Sequence, residues 1–195
     1  MKISISYQVL LTGVFLMLLT AGSMFGQNFK MNNSSEIIVE GTSNIHDWEM
    51  KATSKKGEAT ITTENGKLTG IPNLQVTVAA ESLESGKGGM DKNAYKALNT
   101  DQYKNIEFKL DEVKKIEASS NDTFKVNGVA TLKISGISKQ VPVEFTAKLN
   151  GDQLEITGEE SINMTHYKVV PPTAMFGTIT TGEDLNIKFK STFSK

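Results

Sequence analysis

Residues Phe124 to Leu149 read FKVNGVATLKISGISKQVPVEFTAKL, and through them an apolar or small residue returns at every second place. Val126, Gly128, Ala130, Leu132 and Ile134 form one run, and Val141, Val143, Phe145, Ala147 and Leu149 form the next. Side chains on a strand alternate between its two faces, so a period of two describes a strand that is dry on one side and wet on the other. Residues Gly136 to Gln140 are read as the link between these two antiparallel strands, Phe124 to Ser135 and Val141 to Leu149. Pro142 lacks an N–H, which places it at a strand edge or beginning.

The same alternation spreads in both directions, through Leu74, Val76, Val78 and Ala80, through Ile106, Phe108 and Leu110, and through Leu185, Ile187, Phe189 and Phe193. Further strands are predicted at Glu36 to Ser43, Ile45 to Thr53, Glu58 to Thr63, Asn73 to Ala80, Asn105 to Val113, Gln153 to Gly158 and Asp184 to Phe193. Turns are predicted at Lys55 to Gly57, Glu64 to Gly66 and Asn150 to Asp152, and a charged hairpin tip over Lys114 to Thr123. Gln27 to Ser35 is polar and reads as a loose tail. One segment breaks the pattern. A Gly-rich loop over Ser85 to Gly89 leads into a helix over Met90 to Leu98, with Met90, Ala94, Ala97 and Leu98 on one stripe. Thr100 is placed to cap a further helical turn through Tyr103.

Many strands sharing one dry side must wrap that side around itself, as a barrel or as a two-sheet sandwich. A barrel of roughly eight strands can be packed solid or can hold an apolar guest, and both require the same alternation. With 195 residues the chain is long enough to bury one sizeable core. Lys2, the apolar stretch Val9 to Leu19 and the small residues Ala21, Gly22, Ser23 and Gly26 have the layout of a secretory signal peptide. The expected organisation is therefore a leader over residues 1–26, cleaved after Gly26 or Ser23, and one domain over residues 27–195. An uncleaved anchor is the rival reading, although the stretch is shorter than the roughly 20 residues of a spanning helix, and no later segment approaches that length.

There is no Cys, which excludes disulfides, thiolate metal sites, thiol nucleophiles and a lipidated N-terminal cysteine. There is also no Arg, and the net charge is −1. Without guanidinium forks or a positive field, nucleic acid is not an expected partner. His46 and His166 stand alone in separate segments, so no metal set is expected. Adjacent strand residues point to opposite faces, so Asp47 beside His46 does not make a catalytic pair, and an enzyme is not expected.

Four segments together resemble the YceI-like proteins, a lipocalin-like family of exported bacterial proteins. They are Asn44-Ile45-His46-Asp47-Trp48; Met90-Asp91-Lys92-Asn93, leading through Tyr103-Lys104-Asn105-Ile106-Glu107-Phe108; Gly128 to Val141; and Leu185 to Phe193. The resemblance implies an all-β fold, an antiparallel eight-stranded lipocalin-like barrel with one or two short helices inserted near one mouth. It also implies a periplasmic or extracellular location and an elongated channel for an isoprenoid lipid, with no other cofactor. Where the family often has Arg-Asp-x-His, this chain has Met90 in place of the Arg and Asn93 in place of the His, while Asp91 and His46 match.

The inward apolar positions form the expected channel lining: Trp48, Met50, Val76, Val78, Met90, Tyr95, Leu98, Phe108, Leu132, Ile134, Val143, Phe145, Ile187 and Phe189. Their plain alternative is a solid core. His46, on the face of Trp48 and Met50, and Asp91 are the candidate polar contacts, with a loop-fixing role as the alternative for His46. Gly86-Lys87-Gly88-Gly89 reads either as an anion-cradling gate or as a flexible approach to the helix. Tyr167, Pro171, Pro172, Met175 and Phe176 are expected in a loop near the mouth, packed over it or contacting a membrane or partner. Function then divides between a carrier of a polyprenyl chain, prenyl quinone or similar amphiphile and a structural or interaction protein of the envelope with a filled barrel. A lipid hydrolase or isomerase would need a polar cluster around His46. Oligomeric state stays open, a homodimer included.

Overall fold

The computed structural model describes residues 26–120 and 122–195. The leader expected over 1–26 lies outside the described residues, apart from residue 26. Among these residues there are twelve strands: β1 (Gln27–Met31), β2 (Glu36–Ser43), β3 (Trp48–Ala52), β4 (Lys55–Glu64), β5 (Lys67–Ala79), β6 (Leu83–Glu84), β7 (Asn105–Ser120), β8 (Thr123–Ile134), β9 (Ile137–Asn150), β10 (Gln153–Asn163), β11 (Thr173–Ala174) and β12 (Ile179–Ser194). One α-helix, α1 (Gly88–Leu98), interrupts them between β6 and β7.

The sheet is a closed antiparallel meander. β1 pairs with β4 and β2 with β3, so that two long, broken strands form the first hairpin. Pairing then runs β4–β5–β7–β8–β9–β10–β12, and β12 returns to pair with both β1 and β2, closing an eight-strand ring. Closure removes the free edges that an open sheet of this size would leave. The barrel reading therefore prevails over the sandwich.

The breaks in the long strands have side-chain causes. At residues 32–35 the Asn32 Oδ1 accepts from the Ser34 N–H (3.0 Å) and hydroxyl (2.6 Å), bending the chain as an Asx turn. Buried Ser35 then takes over the ladder, its Oγ donating to Thr192 O (3.1 Å) and accepting from Thr192 N (2.9 Å). The polar segment Gln27 to Ser35 is thus no loose tail. Its inward Phe29 is 2% exposed and supplies a core side chain that closes the ring.

Several strand limits differ from those expected. Lys55 to Gly57 belongs to β4, because all three pair along β5, with Val78, Thr77 and Val76, and Gly57 lies so close to that strand that a Cβ would meet Gln75 O at 2.8 Å. The supposed tip Lys114 to Thr123 is mostly strand, since β7 runs to Ser120 with Val113 and Ile116 packed on the core. The link Gly136 to Gln140 shrinks to a tight turn at Ser135 (φ 47°) and Gly136 (φ 77°), with Ile134 paired to Ile137. β5 begins at Lys67, β10 continues to Asn163 and β12 starts at Ile179, each longer than its strongest alternating run. The segment Thr100 to Tyr103 is a turn, not a second helix, and the Thr100 hydroxyl donates to Glu81 (2.8 Å). Pro142 sits in the part of β9 that pairs with β8 alone, an edge that tolerates its missing donor.

Candidate ligand-binding cavity

The barrel is filled at one end and hollow toward the other. Phe29, Ile61, Leu68, Leu74, Leu110, Phe124, Val126, Leu154 and Phe193 are all buried in one cluster that plugs the first end. Two smaller clusters wall the second: Leu132, Ile134, Ile162, Met164, Tyr167 and Val169 on one side, and Met50, Ala52, Val78 and Leu83 on the other. Helix α1 bridges them, with Ala97 and Leu98 against the first wall and Met90, Ala94 and Leu98 against the second. The predicted helical stripe thus packs across the open end.

Between the plug and the helix lies a cavity of about 750 Å³. That volume falls within the roughly 300–1,000 Å³ of small-molecule sites. The cavity is lined by every residue of the predicted channel except Tyr95: Trp48, Met50, Val76, Val78, Met90, Leu98, Phe108, Leu132, Ile134, Val143, Phe145, Ile187 and Phe189. Ile37, Val39, Ile106, Ile156, Ile162 and Leu185 join them. Leu74 and Phe193 form part of its floor, where the plug begins.

Tyr95 is turned away from the lumen, its hydroxyl donating to Leu83 O at 2.9 Å. Burial, followed by the charges of Asp91, Glu84 and Glu81, raises its pKa. Asp91 also leaves the cavity. Its Oδ1 accepts from the Ser85 N–H (2.8 Å) and hydroxyl (2.6 Å), pinning the Gly-rich loop to the first turn of α1. Both residues fix the helix rather than touch the lumen, because a short helix with one inward stripe must spend its remaining sides on anchorage. Ser135 anchors the other end, its hydroxyl donating to Leu98 O (2.9 Å).

His46 does line the cavity, but from a turn rather than from a strand. The expected strand start at Ile45 gives way to a turn in which the Ser43 hydroxyl donates to His46 O (2.7 Å). The His46 Nδ1 lies 2.8 Å from Asp47 O, so its ring is held by its neighbour at the rim. Trp48 follows, its indole N–H donating to Thr42 O (2.9 Å) and its ring lying over Gly41, where a Cβ would collide at 2.2 Å. Lys87, Gly89, Lys92, Asn93, Pro172 and Thr173 complete the rim. Met175 and Phe176 stand exposed beyond it, as the mouth loop was expected to place them. Tyr167 does not belong to that loop: it is 2% exposed and packs into the wall.

The lumen contains one feature absent from the sequence reading. Along β10 the inward positions are Leu154, Ile156, Gly158, Glu160 and Ile162, so a carboxylate occupies the apolar wall. Burial pushes the Glu160 carboxyl above the usual carboxylate range. Extending the alternation past Gly158 would have found it. Among the described residues, no group of three His, Cys, Asp or Glu is placed to hold a metal ion. No described helix is long and apolar enough to cross a membrane.

The sequence profile of the YceI-like domain matches residues 29–193, nearly the whole barrel. The chain belongs to the YceI-like family. This YceI-like barrel is similar to BcnA of Burkholderia cenocepacia, at 16% identity and a TM-score of 0.63, over 81% of this chain and 95% of that one. It is similar also to a polyisoprenoid-binding domain from Saccharophagus degradans, at 10% identity and a TM-score of 0.63, over 85% of this chain and 97% of that one. A Campylobacter jejuni YCEI protein aligns over 100% of this chain and 99% of its own, at 15% identity and a TM-score of 0.53. No curated protein sequence matches the chain. At these identities the three structures speak for the YceI-like fold alone.

Proposed function

We propose that this protein is an exported binding protein that takes up an isoprenoid lipid in the hollow half of its barrel and shields it from water. The observation that carries the reading is the apolar cavity of about 750 Å³, closed at one end by the aromatic plug and roofed by α1. Polyisoprenoid binding is the property named for the Saccharophagus degradans domain that shares this fold. Each buried methylene contributes about 0.8 kcal/mol, so ten buried carbons give roughly 8 kcal/mol before ordering costs are subtracted. Export is supported by Lys2 and the apolar run Val9 to Leu19.

Binding without catalysis suits the lining. His46 is engaged at the rim by its own neighbour, and among the described residues none of the polar side chains sharing the rim, Lys87, Lys92, Asn93 and Thr173, hydrogen-bonds its ring as a hydrolase or isomerase pairing needs. A structural role with a filled barrel would require a solid interior, which the upper half of this one lacks.

The test is organic extraction of gently purified protein followed by mass spectrometry, beside a variant with a blocked lumen, Ala94→Trp. We expect a co-purified prenyl lipid in the native protein and its loss from the folded variant. Repeated absence of lipid, with no uptake of an added prenyl alcohol, would overturn the reading.

A further inference from the structure

Half-burying a carboxylate in an apolar wall is costly unless a partner repays it, and none among the described residues does so for Glu160. It faces inward on β10 opposite Ile187 of β12 and forms no hydrogen bond or ion pair among the described residues. β9 and β10 pair only up to Phe145 and Gly158; beyond that point the strands part, and Glu160 lies in the stretch that has separated. The short 3-10 turn Met164–Tyr167 follows β10, and its Tyr167 packs into the same wall. Tyr167 is 2% exposed, yet its hydroxyl has no hydrogen-bond partner among the described residues. It lies near enough to Glu160 for the carboxylate's charge to add to burial in raising its pKa.

An orphaned donor and an unpaired acid lining the same largely apolar lumen are two departures from a satisfied core. We propose that Glu160, positioned by Tyr167, is the recognition point of the lumen and takes the hydroxyl or carbonyl oxygen of an uncharged amphiphile. The inference rests on the lipid-binding reading above and narrows its ligand class. A neutral carboxyl has one O–H to donate and oxygens to accept, which suits an alcohol or a ketone. Glu160 and Tyr167 form no hydrogen bond in this structure; on ligand binding the flexible Glu160 side chain turns to accept from the Tyr167 hydroxyl with one carboxyl oxygen while the other meets the ligand. A phosphate would bring negative charge beside an acid whose own ionisation burial already disfavours. The cationic side chains that line the cavity, Lys87 and Lys92, are at the rim rather than beside Glu160.

The experiment measures binding of farnesol, farnesene and farnesyl phosphate to the delipidated protein, followed by the fluorescence of Trp48, the single tryptophan and a lining residue. Native protein is expected to prefer farnesol to farnesene by about tenfold, the value of one well-made hydrogen bond, and to bind farnesyl phosphate more weakly than farnesol. Glu160→Leu should bring the farnesol-to-farnesene ratio close to one while farnesene still binds. Tyr167→Phe should lower the ratio, and Glu160→Gln, which can still donate and accept, should keep it. A purely structural role for either residue would move both ligands together. Farnesene binding with no preference for the alcohol, an unchanged ratio in Glu160→Leu, or a preference for the phosphate would overturn this inference and leave the lipid-binding reading standing. Failure of all three probes to bind would overturn both.

Discussion

Tyr167→Phe should make the lipid-free protein more stable, which is the reverse of what removing a buried hydroxyl usually does. The ring is 2% exposed and packs in the wall with Leu132, Ile134, Ile162, Met164 and Val169, and the substitution leaves those contacts in place. Only the oxygen is lost. That oxygen is shut off from solvent and has no partner among the described residues of the folded state, whereas in the unfolded chain water satisfies it. Leaving a buried donor unmade costs about 1–3 kcal/mol, and the small void left by the oxygen cancels part of the gain. A net stabilisation on the order of 1 kcal/mol remains, or a rise of about 2–4 °C in Tm for a domain of this size. Urea unfolding of delipidated native and variant protein, checked for equal m-values, measures it directly. A loss of stability of similar size would show that the hydroxyl has a partner in the folded protein, and the reasoning about an orphaned donor would fail.

Other expectations follow from the same geometry. Because burial raises the Glu160 pKa, the native state holds a proton that the unfolded chain has released, so stability should fall as pH rises from the ordinary carboxylate range through the raised native value. Glu160→Gln should flatten that slope and gain stability at neutral pH, and parallel slopes in denaturation series at several pH values would count against it. Phe193→Ala, at a side chain 0% exposed in the plug, should cost about 3–5 kcal/mol, read as a drop in the urea midpoint. Gly136→Ala should cost more than about 1 kcal/mol, since φ is 77° and a Cβ would press the Tyr103 ring at 2.5 Å; an unchanged Tm would contradict the turn geometry. Phe176→Ser, at a fully exposed side chain, should shift stability by no more than about 0.5 kcal/mol in the same assay.

Much of this molecule follows from local rules that act along the chain. A period of two makes strands whatever their neighbours, so β2, β8, the core of β9 and the inward sets from Val76 to Phe189 are legible as residues in a row. The helical stripe Met90, Ala94, Ala97 and Leu98 is legible for the same reason. What local rules do not carry is the partner. The polar segment Gln27 to Ser35 becomes strand because β12 and β4 supply its hydrogen bonds, and Lys114 to Ser120 stays extended because β8 runs beside it. Tyr95 and Asp91 sit among lining residues in sequence, yet their bonds to Leu83 and Ser85 turn them outward, a choice made by acceptors and donors in the segment before the helix that no helical periodicity encodes.

The sequence by itself determined that one greasy face must be wrapped inward, because alternation fixes which side chains share a surface. Only the tertiary structure decided that the wrapped space is half plug and half hollow, and that an acid and an unpartnered phenol share its lining. Filling depends on how side-chain volumes from separate strands add up at each level of the barrel, and no pattern along a single strand contains that sum.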